Sequence, residues 1–425
     1  EEYFLAGRSL PGWKAGLSMS ATQFSADTPL LVTGILATAG IFGLWQLWIY
    51  AVTFLLIGFV LAGAWRRAGV VTDAELVELR YAGKPAAVLR AIKAVYLGTV
   101  VNCVALAWVL FAAAKIAEPF LLWNEWLPAV TLQPVVGLVE SIGVPLTIGG
   151  LDDPQVWIKT ANNLISLVMV LGITALYSTT GGLRSVAATD VVQIAIMFLG
   201  TVAFTTIVIQ EVGGLSAMTD RVYQQFSAGG PGGIRPDEIL AFTPDHGKDV
   251  TVELLTLLGV LWLINSVSDG SGYLAQRSMA CRTDRDARVA AVVFTFTRIL
   301  MTFLLWLPLG IGLLLLFPPD PGVSVDLLQA ERETTYVRGM AELLPVGVRG
   351  LMVTAMLAAL ASTVDTHLNW GSSYWTNDIY KRFICQSWRG KTPTGRELVW
   401  VARASNILIL IVALSIMTQL TSINQ

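Results

Sequence analysis

The chain has 425 residues, of which 54% are hydrophobic and 14% are charged, and its formal net charge is −2. This composition indicates a polytopic membrane protein, because a soluble protein of this length carries far more charge. The small net charge indicates no nucleic-acid partner. The three cysteines and two histidines form no metal motif, and no cluster of catalytic side chains is visible, so the pattern does not favour an enzyme.

Apolar runs long enough to span a bilayer recur along the whole sequence, with no soluble domain between them. We therefore predict one all-α transmembrane domain over residues 1–425. Because the chain has no initiator methionine and stops just after an apolar run, we expect both ends to be trimmed. The nine predicted helices lie at about 11–40, 44–65, 87–117, 157–179, 188–211, 250–275, 287–317, 348–372 and 399–420.

The distribution of lysine and arginine predicts the orientation of these helices. One side of the predicted topology carries 19 basic residues, and the other side carries 8, most of them in long loops. Basic residues concentrate on the cytoplasmic side of a membrane protein. We therefore predict a multi-pass protein of the plasma (inner) membrane with its N-terminus in the cytoplasm.

The first and the sixth predicted helices are interrupted by polar residues. They lie five helices apart and enter the membrane from opposite sides. This arrangement is typical of an inverted five-plus-five repeat, whose tenth helix would lie beyond the last residue of the sequence. Discontinuous helices of this kind expose carbonyl groups and helix ends near the bilayer midplane, where they bind ions and solutes.

The first helix has too many polar side chains to face lipid. Pro29 lacks a backbone donor and is expected to disturb the helix upstream of it. The alternative is a loop before the membrane, but the apolar run after Pro29 is short and interrupted by glycines. The polar residues of this segment are Ser18, Ser20, Thr22, Gln23, Ser25, Asp27 and Thr28.

The second helix begins with an aromatic stretch that contains Gln46 and Tyr50. An aromatic belt at the membrane interface is one explanation of this stretch. The other explanation is that Gln46 and Tyr50 line a solute cavity. Gln46 is the stronger candidate, because a glutamine near the bilayer face needs hydrogen-bond partners.

The connection between the fourth and fifth helices contains Gly181 and Gly182, which predict a tight turn. Thr189 is then placed to cap the next helix, with Asp190 in its first turn, where the helix dipole favours a carboxylate. Capping is therefore a sufficient explanation of Asp190 at this level.

The sixth helix contains two glycines and an aspartate inside an apolar span, which indicates a break in the helix. We identify Asn265, Asp269 and Ser271 as candidate solute contacts. Arg298 lies near the middle of the seventh helix, where an unpaired guanidinium costs several kcal/mol. It either extends to the cytoplasmic face or faces the cavity, where it would bind a hydroxyl-rich or carboxylate solute.

The eighth helix places Ser362, Thr363 and Asp365 at membrane depth. Hard cations prefer several oxygen ligands, and the two hydroxyl groups with the carbonyl group of Ala359 would supply three of them. The alternative is that each hydroxyl group bonds a carbonyl group one turn back and bends the helix.

Four segments resemble motifs of the sodium:solute symporter family: 3–13 (YFLAGRSLPGW), 177–193, 276–288 and 358–382, the last ending in TNDIYKR. The resemblance covers essentially the whole chain, and it implies a leucine-transporter-like fold. It also implies a sodium site between helices one and eight, formed by Ala21, Phe24, Ala359, Ser362 and Thr363. A second cation site of some members matches Asp190, Asp365 and Thr366.

The resemblance implies a sodium-coupled secondary active symporter that imports a small organic solute by alternating access, with Na⁺ as the coupling ion. A sugar or sugar acid is the first expectation for the solute, and an amino acid or other carboxylate is the second. A proton-coupled symporter and a symporter-like solute sensor remain alternatives. The expected partners are the solute and the lipid bilayer, with no obligatory protein partner visible. The candidate solute contacts are Thr22, Ser25, Asp27, Thr28, Gln46, Tyr50, Asn265, Asp269, Ser271 and Arg298.

Overall fold

The structure is a computed structural model that describes residues 2–147, 151, 153–264, 272–319 and 325–420. These residues form helices and turns without a β-strand, and one isolated backbone bridge joins Leu10 to Cys281. The principal helices, in chain order, are α1 (Gly12–Gln23), α2 (Thr28–Gly43), α3 (Trp45–Ala68), α4 (Gly83–Ala117), α5 (Val156–Ser178), α6 (Gly181–Val212), α7 (Val252–Ile264), α8 (Gly272–Ala280), α9 (Asp284–Leu316), α10 (Val325–Leu343), α11 (Val346–Arg389) and α12 (Gly395–Met417).

Shorter helices and local changes of helix type complete the chain. Four of the long helices contain stretches of π geometry, which is rare and shifts the register of the side chains that follow it. These stretches are Ile57–Leu61, Tyr96–Val101, Met301–Trp306 and Tyr374–Arg389. The short α-helices are Glu2–Leu5, Leu76–Arg80, Trp123–Trp126, Ala129–Ile142, Leu215–Gln225 and Pro236–Ile239, and the 3₁₀ turns are Ala6–Arg8, Pro231–Gly233 and Pro244–His246.

Within the described ranges, seven helices are long and apolar enough to cross a bilayer, and the bent pair α1–α2 makes an eighth if it counts as one span. Large apolar side chains such as Phe59, Leu176 and Leu199 are exposed on the outer faces of these helices. In lipid this exposure carries no hydrophobic penalty, since the surroundings are as apolar as the side chains. The predicted all-α polytopic class is confirmed. The predicted sixth span falls on α7, on α8 and on residues outside the described ranges.

The predicted break in the first helix is confirmed. Helix α1 ends at Gln23, α2 begins at Thr28, and the two axes are bent by 57°. Pro29 is the second residue of α2, where the helix needs no backbone donor. Because α1 is helical and its hydroxyl-bearing residues are buried inside the protein, this segment is not a loop before the membrane.

Helix α11 is the centre of the packing. It lies against the α5–α6 segment along much of its length, and it also contacts α1, α4 and α12. Helix α10 lies across α2. This arrangement puts the end of α1 between α6 and α11, so the break in the first span is surrounded by helices rather than by lipid.

The TNDIYKR motif at the end of α11 anchors this helix to the connection after α3. Asp378 is fully buried, accepts a hydrogen bond from Thr72 (2.7 Å) and forms an ion pair with Arg90 (2.6 Å). Glu78 joins both Arg90 (2.7 Å) and Arg382 (2.8 Å), and the Arg382 hydrogen bond holds the pKa of the Glu78 carboxyl below its usual range. A buried charge persists only when it is paired in this way.

The predicted turn between α5 and α6 is formed at Gly182, whose φ and ψ are 57° and −159°. Residues with a Cβ essentially never adopt this conformation. A Cβ at Gly182 would also lie 2.5 Å from the carbonyl oxygen of Tyr3. Glycine is therefore required here for two independent reasons.

We predict that Gly182→Ala destabilises the protein by about 1–3 kcal/mol through backbone strain alone. The matched control is Gly172→Ala in α5, where a Cβ would meet no heavy atom within 4 Å. This control should leave stability unchanged or raise it slightly, because alanine favours a helix over glycine. The thermal unfolding midpoint of each variant in detergent measures the effect, and equal midpoints for the two variants would contradict this account of the turn.

Candidate functional site

The break between α1 and α2 leaves backbone carbonyl groups without helical partners. Phe24 is the first non-helical residue, with φ −83° and ψ 61°, and its amide group donates to the Ser20 carbonyl oxygen (2.8 Å). The carbonyl oxygens of Ala21 and Phe24 accept no hydrogen bond from the described residues. Unpaired carbonyl groups at a helix end inside a membrane protein need another partner.

Helix α11 faces this break with two buried hydroxyl groups. Thr363 Oγ1 lies 3.2 Å from the carbonyl oxygen of Thr22 and 3.0 Å from that of Ala359, and its proton serves these two acceptors. The bond to Thr22 ties the last turn of α1 to α11. The bond from Thr363 to the carbonyl group one turn back, which the sequence suggested, is therefore present. A second bond joins Thr363 to α1 across the junction.

Ser362 does not bond the carbonyl group one turn back. Its Oγ donates to Asp190 Oδ1 (2.6 Å), so both lone pairs of the hydroxyl oxygen remain available. The turn Ala359–Thr363 therefore presents neutral oxygen atoms to the end of α1. This donor set has the chemistry that Na⁺ requires, since hard cations take carbonyl and hydroxyl oxygens.

Asp190 belongs to this junction and is not a helix-capping residue. Helix α6 begins at Gly181, so Asp190 lies well beyond its first turn. Thr189 donates back to the carbonyl groups of Ser185 and Val186 instead of capping the helix. The capping interpretation is wrong because it placed the start of the helix several residues too late.

The Asp190 carboxylate is fully buried between α1 and α11. It accepts hydrogen bonds from Ser18 (2.5 Å) and Ser362 (2.6 Å). The Arg277 guanidinium lies 4.0 Å from the same carboxylate. Three elements of the fold therefore meet at one aspartate.

Arg277 lies in the family-like segment 276–288 and was not among the predicted site residues, but its side chain is fully buried. It donates to Thr366 Oγ1 (2.6 Å) and to Ser18 Oγ (3.3 Å). Thr366 Oγ1 in turn lies 2.8 Å from Thr22 Oγ1. The sequence signal that could have identified Arg277 was the Gln276–Arg277 pair in the segment 276–288, which resembles a family motif.

Asp365 is buried on the other side of Thr366. Its carboxylate accepts a hydrogen bond from the Tyr177 hydroxyl group (2.7 Å), and Thr366 lies 3.5 Å away. The structure thus brings Asp190, Asp365 and Thr366 together around Arg277. The second cation site remains a prediction, and Arg277 places a positive charge among its predicted ligands.

Arg298 faces the break in the first helix rather than the end of its own helix. Its Nη1 donates to Gln23 Oε1 (2.7 Å), and its guanidinium lies 5.9 Å from the centre of the Phe54 ring. Gln23 also donates to the Tyr273 hydroxyl group. Asp27 lies within electrostatic range of the guanidinium, and Tyr50 lies on α3 beside Phe54, with their ring centres 6.5 Å apart. The cavity-facing position considered from the sequence is therefore the one observed.

Two narrow cavities of about 10 Å³ each adjoin Arg298. This volume holds about one water molecule. One cavity is lined by Gln23, Phe24 and Trp306, and the other by Trp48 and Phe54. A solute of several carbon atoms is larger than either cavity, so these side chains must move apart before it can bind.

The other polar residues of the break bond one another. Ser25 donates to the Asp27 carboxylate and lies 3.2 Å from Thr28 Oγ1. Thr28 Oγ1 is 3.5 Å from the Gln23 carbonyl oxygen. These three residues thus organise the start of α2 directly beside Gln23.

Gln46 is exposed and lies apart from the cavities beside Arg298. The reason is that Trp45 and Trp48, on the same turn, pack against Phe242 and direct Gln46 away from the interior. The candidates Asn265, Asp269 and Ser271 lie outside the described residues. Sequence reasoning did not select Gln23 or Tyr273 as site residues.

A polytopic helical protein with a broken first span, bent beside a cluster of neutral oxygens, has the architecture of a leucine-transporter-like membrane transporter. A solved structure described as a substrate-bound outward-open state of a Na⁺-coupled sialic acid symporter aligns with 98% of this chain and 76% of its own, with a TM-score of 0.71 and 18% identity. This similarity confirms the predicted fold class.

The chain belongs to the Sodium:solute symporter family, whose profile matches residues 3–143 and 158–425. It is 26% identical over 434 residues to a sodium/glucose cotransporter of Vibrio parahaemolyticus, covering 100% of this chain and 70% of that protein. It is 25% identical over 406 residues to sodium/glucose cotransporter 1 of Oryctolagus cuniculus, covering 89% of this chain and 54% of that protein. The predicted family is therefore confirmed.

Proposed function

We propose that this chain is a sodium-coupled secondary active symporter that imports a small organic solute by alternating access. The observation that carries the proposal is the junction of α1 and α11, where the Thr363–Thr22 bond lies beside two carbonyl groups that accept no hydrogen bond from the described part of the chain. The proposed ligands of Na⁺ are the carbonyl oxygens of Ala21, Phe24 and Ala359 and the hydroxyl oxygens of Ser362 and Thr363. Family membership supports sodium as the coupling ion.

The break between α1 and α2 links the proposed sodium site to the proposed solute site. Sodium would supply the positive charge that holds the end of α1 against α11. Gln23, the last residue of α1, holds Arg298 beside the two cavities, so a fixed α1 also fixes the solute contacts. Sodium and solute then stabilise one geometry of the break, and each must tighten the binding of the other by the same factor.

For the solute, a sugar or sugar acid is the first proposal, and an amino acid or other carboxylate is the second. Arg298, Gln23 and Tyr273 offer charged and neutral hydrogen-bond donors that suit hydroxyl or carboxylate groups. The charge of Asp27 nearby would favour a solute that also carries donors. The relatives named above are described as glucose and sialic acid symporters, which supports the first proposal.

The proposed location is the plasma (inner) membrane, with the N-terminus in the cytoplasm. The support is the distribution of basic residues, 19 on one side of the predicted topology and 8 on the other. The proposed partners are the solute and the bilayer.

A proton-coupled symporter is the second candidate, and one observation favours it. Asp365 is fully buried, and its described hydrogen-bond partners are the hydroxyl groups of Tyr177 and Thr366. A buried carboxylate with hydroxyl partners is neutralised either by a bound cation or by a proton. Sodium dependence at constant pH separates the two candidates.

We predict that NaCl stabilises the purified protein relative to KCl or choline chloride at equal ionic strength and constant pH. At a sodium concentration 100 times the Kd, a single site adds about 2.7 kcal/mol to the free energy of unfolding. The double variant Ser362→Ala/Thr363→Ala should lose this stabilisation, because it removes two of the five proposed ligands. The thermal unfolding midpoint across a sodium titration measures the effect.

The matched control is Ser372→Ala/Ser373→Ala on the same helix. Both serines are buried, and each donates only within α11, to Asn369 and Trp370 respectively. This control should keep the sodium-specific shift. Absence of the shift in the native sequence, or its survival in the Ser362/Thr363 variant, would contradict the proposed site.

We also predict that a hydroxyl-rich solute adds a further thermal shift in NaCl. The solutes to compare are D-glucose, sialic acid and a panel of amino acids. Arg298→Gln should weaken binding of the stabilising solute by about tenfold or more, since it removes a charged hydrogen bond. Gln46→Ala, in the exposed position, should leave it unchanged. Stabilisation by amino acids alone would contradict the sugar proposal.

A further inference from the structure

Trp306 of α9 is a buried donor in the wall of one of the two cavities beside Arg298. Its side chain is 3% exposed. Its indole nitrogen Nε1 has no hydrogen-bond acceptor among the residues that the structure describes. The same cavity is lined by Gln23, Phe24 and Arg298. A residue with an unpaired donor therefore belongs to the proposed solute site.

The unpaired indole N–H group requires an explanation, because a buried donor without an acceptor costs free energy. Packing does not provide one, since an aromatic ring can pack against Phe24 without carrying a donor. A tryptophan of an interfacial aromatic belt lies at the headgroup level, but Trp306 is enclosed by protein. The indole nitrogen donates and does not accept. The partner that fits it is an oxygen atom inside the cavity.

The size of the cavity makes this donor selective. The volume of about 10 Å³ holds about one water molecule, which can accept the indole hydrogen bond when no solute is bound. A solute that enters must displace this water. The exchange loses affinity unless the solute places an acceptor oxygen in the same position.

The π stretch of α9 determines which side chain lies beside Arg298. Arg298 and Trp306 are eight residues apart, and in a continuous α-helix this spacing separates two side chains by about 80° around the axis. The stretch Met301–Trp306 has π geometry, and a π turn takes one residue more than an α turn. The extra residue brings Trp306 to within about 20° of Arg298. In a continuous α-helix, Leu305 would take this place and offer no donor.

The indole ring is held in position by its neighbours. Its centre lies 4.9 Å from the centre of the Phe24 ring, and the two ring planes are inclined at 47°. Thr205 of α6 donates to the carbonyl oxygen of Leu305 (3.2 Å), which fixes the backbone of α9 next to Trp306. A donor that is already fixed loses little freedom when a ligand binds, so its hydrogen bond contributes to affinity.

We propose that Trp306 is a specificity-determining solute contact, whose indole N–H group donates a hydrogen bond to a hydroxyl oxygen of the solute. Trp306 lies about 12 Å further along α9 than Arg298, so the two residues bind oxygen atoms at different depths. A polyhydroxylated solute supplies both oxygen atoms, whereas an amino acid with an apolar side chain leaves the indole donor unpaired. The inference rests on the proposed function and names the feature of the solute that the site selects.

Isothermal titration of the purified protein in NaCl with D-glucose and with sialic acid tests this inference. Trp306→Phe keeps an aromatic ring beside Phe24 and removes the N–H group. We expect it to weaken binding of the sugar that binds the native protein by about three- to tenfold, the effect of one neutral hydrogen bond. The sodium-specific thermal shift without solute should stay unchanged, because none of the five proposed sodium ligands is altered.

The matched control is Trp123→Phe, which removes an indole N–H group that donates to Ser166 Oγ (2.8 Å) away from both cavities. This control should keep the native sugar affinity. If Trp306→Phe does not fold, replacement of the Trp306 indole by benzothiophene removes the N–H group with almost no change of shape. The same loss of sugar affinity is expected.

The outcomes separate this inference from the function on which it rests. Unchanged sugar affinity after loss of the Trp306 N–H group would overturn the inference and leave the proposed function intact. An equal loss of affinity in Trp123→Phe would also overturn it, because the effect would then not depend on the cavity. Binding of neither sugar by the native protein would overturn the sugar proposal and, with it, the inference.

Discussion

The structure depends on one constraint: a helix broken inside a membrane must have its free carbonyl groups satisfied by a partner other than lipid. Helix α1 ends at Gln23, and the break is enclosed by α6 and α11. Thr363 satisfies one carbonyl group of the break, that of Thr22, and two others accept no hydrogen bond from the described residues. The fold therefore leaves two carbonyl oxygens available to a cation at the point where α1 meets α11, and the proposed coupling ion would bind there.

The remaining buried charges keep this junction in place. At one end of α11, Asp378 pairs with Arg90 and anchors the helix to α4. At its middle, Asp190 and Arg277 hold Ser362, Ser18 and Thr366 in a single hydrogen-bond network. Because these pairs are buried, breaking one leaves an uncompensated charge, so the helices they join behave as a unit.

The sequence predicted the helical class, the break in the first span and the turn at Gly182 because each follows from local chemistry: apolar run length, Pro29, and a double glycine. It did not predict which side chains turn inward. Gln46 is directed outward by its two tryptophan neighbours, and Asp190 lies deep in α6 because the helix starts at Gly181. Arg277 was missed because a buried arginine and an exposed one look alike in the sequence of the segment 276–288. These outcomes depend on contacts between distant segments, as in the 259-residue separation of Ser18 and Arg277.

Hydrogen–deuterium exchange of the purified protein in NaCl and in KCl tests the central claim most directly. If sodium joins the end of α1 to α11, the amides of residues 20–28 and 359–366 should exchange more slowly in NaCl, because the ion stabilises the closed junction against local opening. Amides at the Asp378–Arg90 anchor should exchange equally in both salts. Equal exchange at residues 20–28 in the two salts would contradict the account.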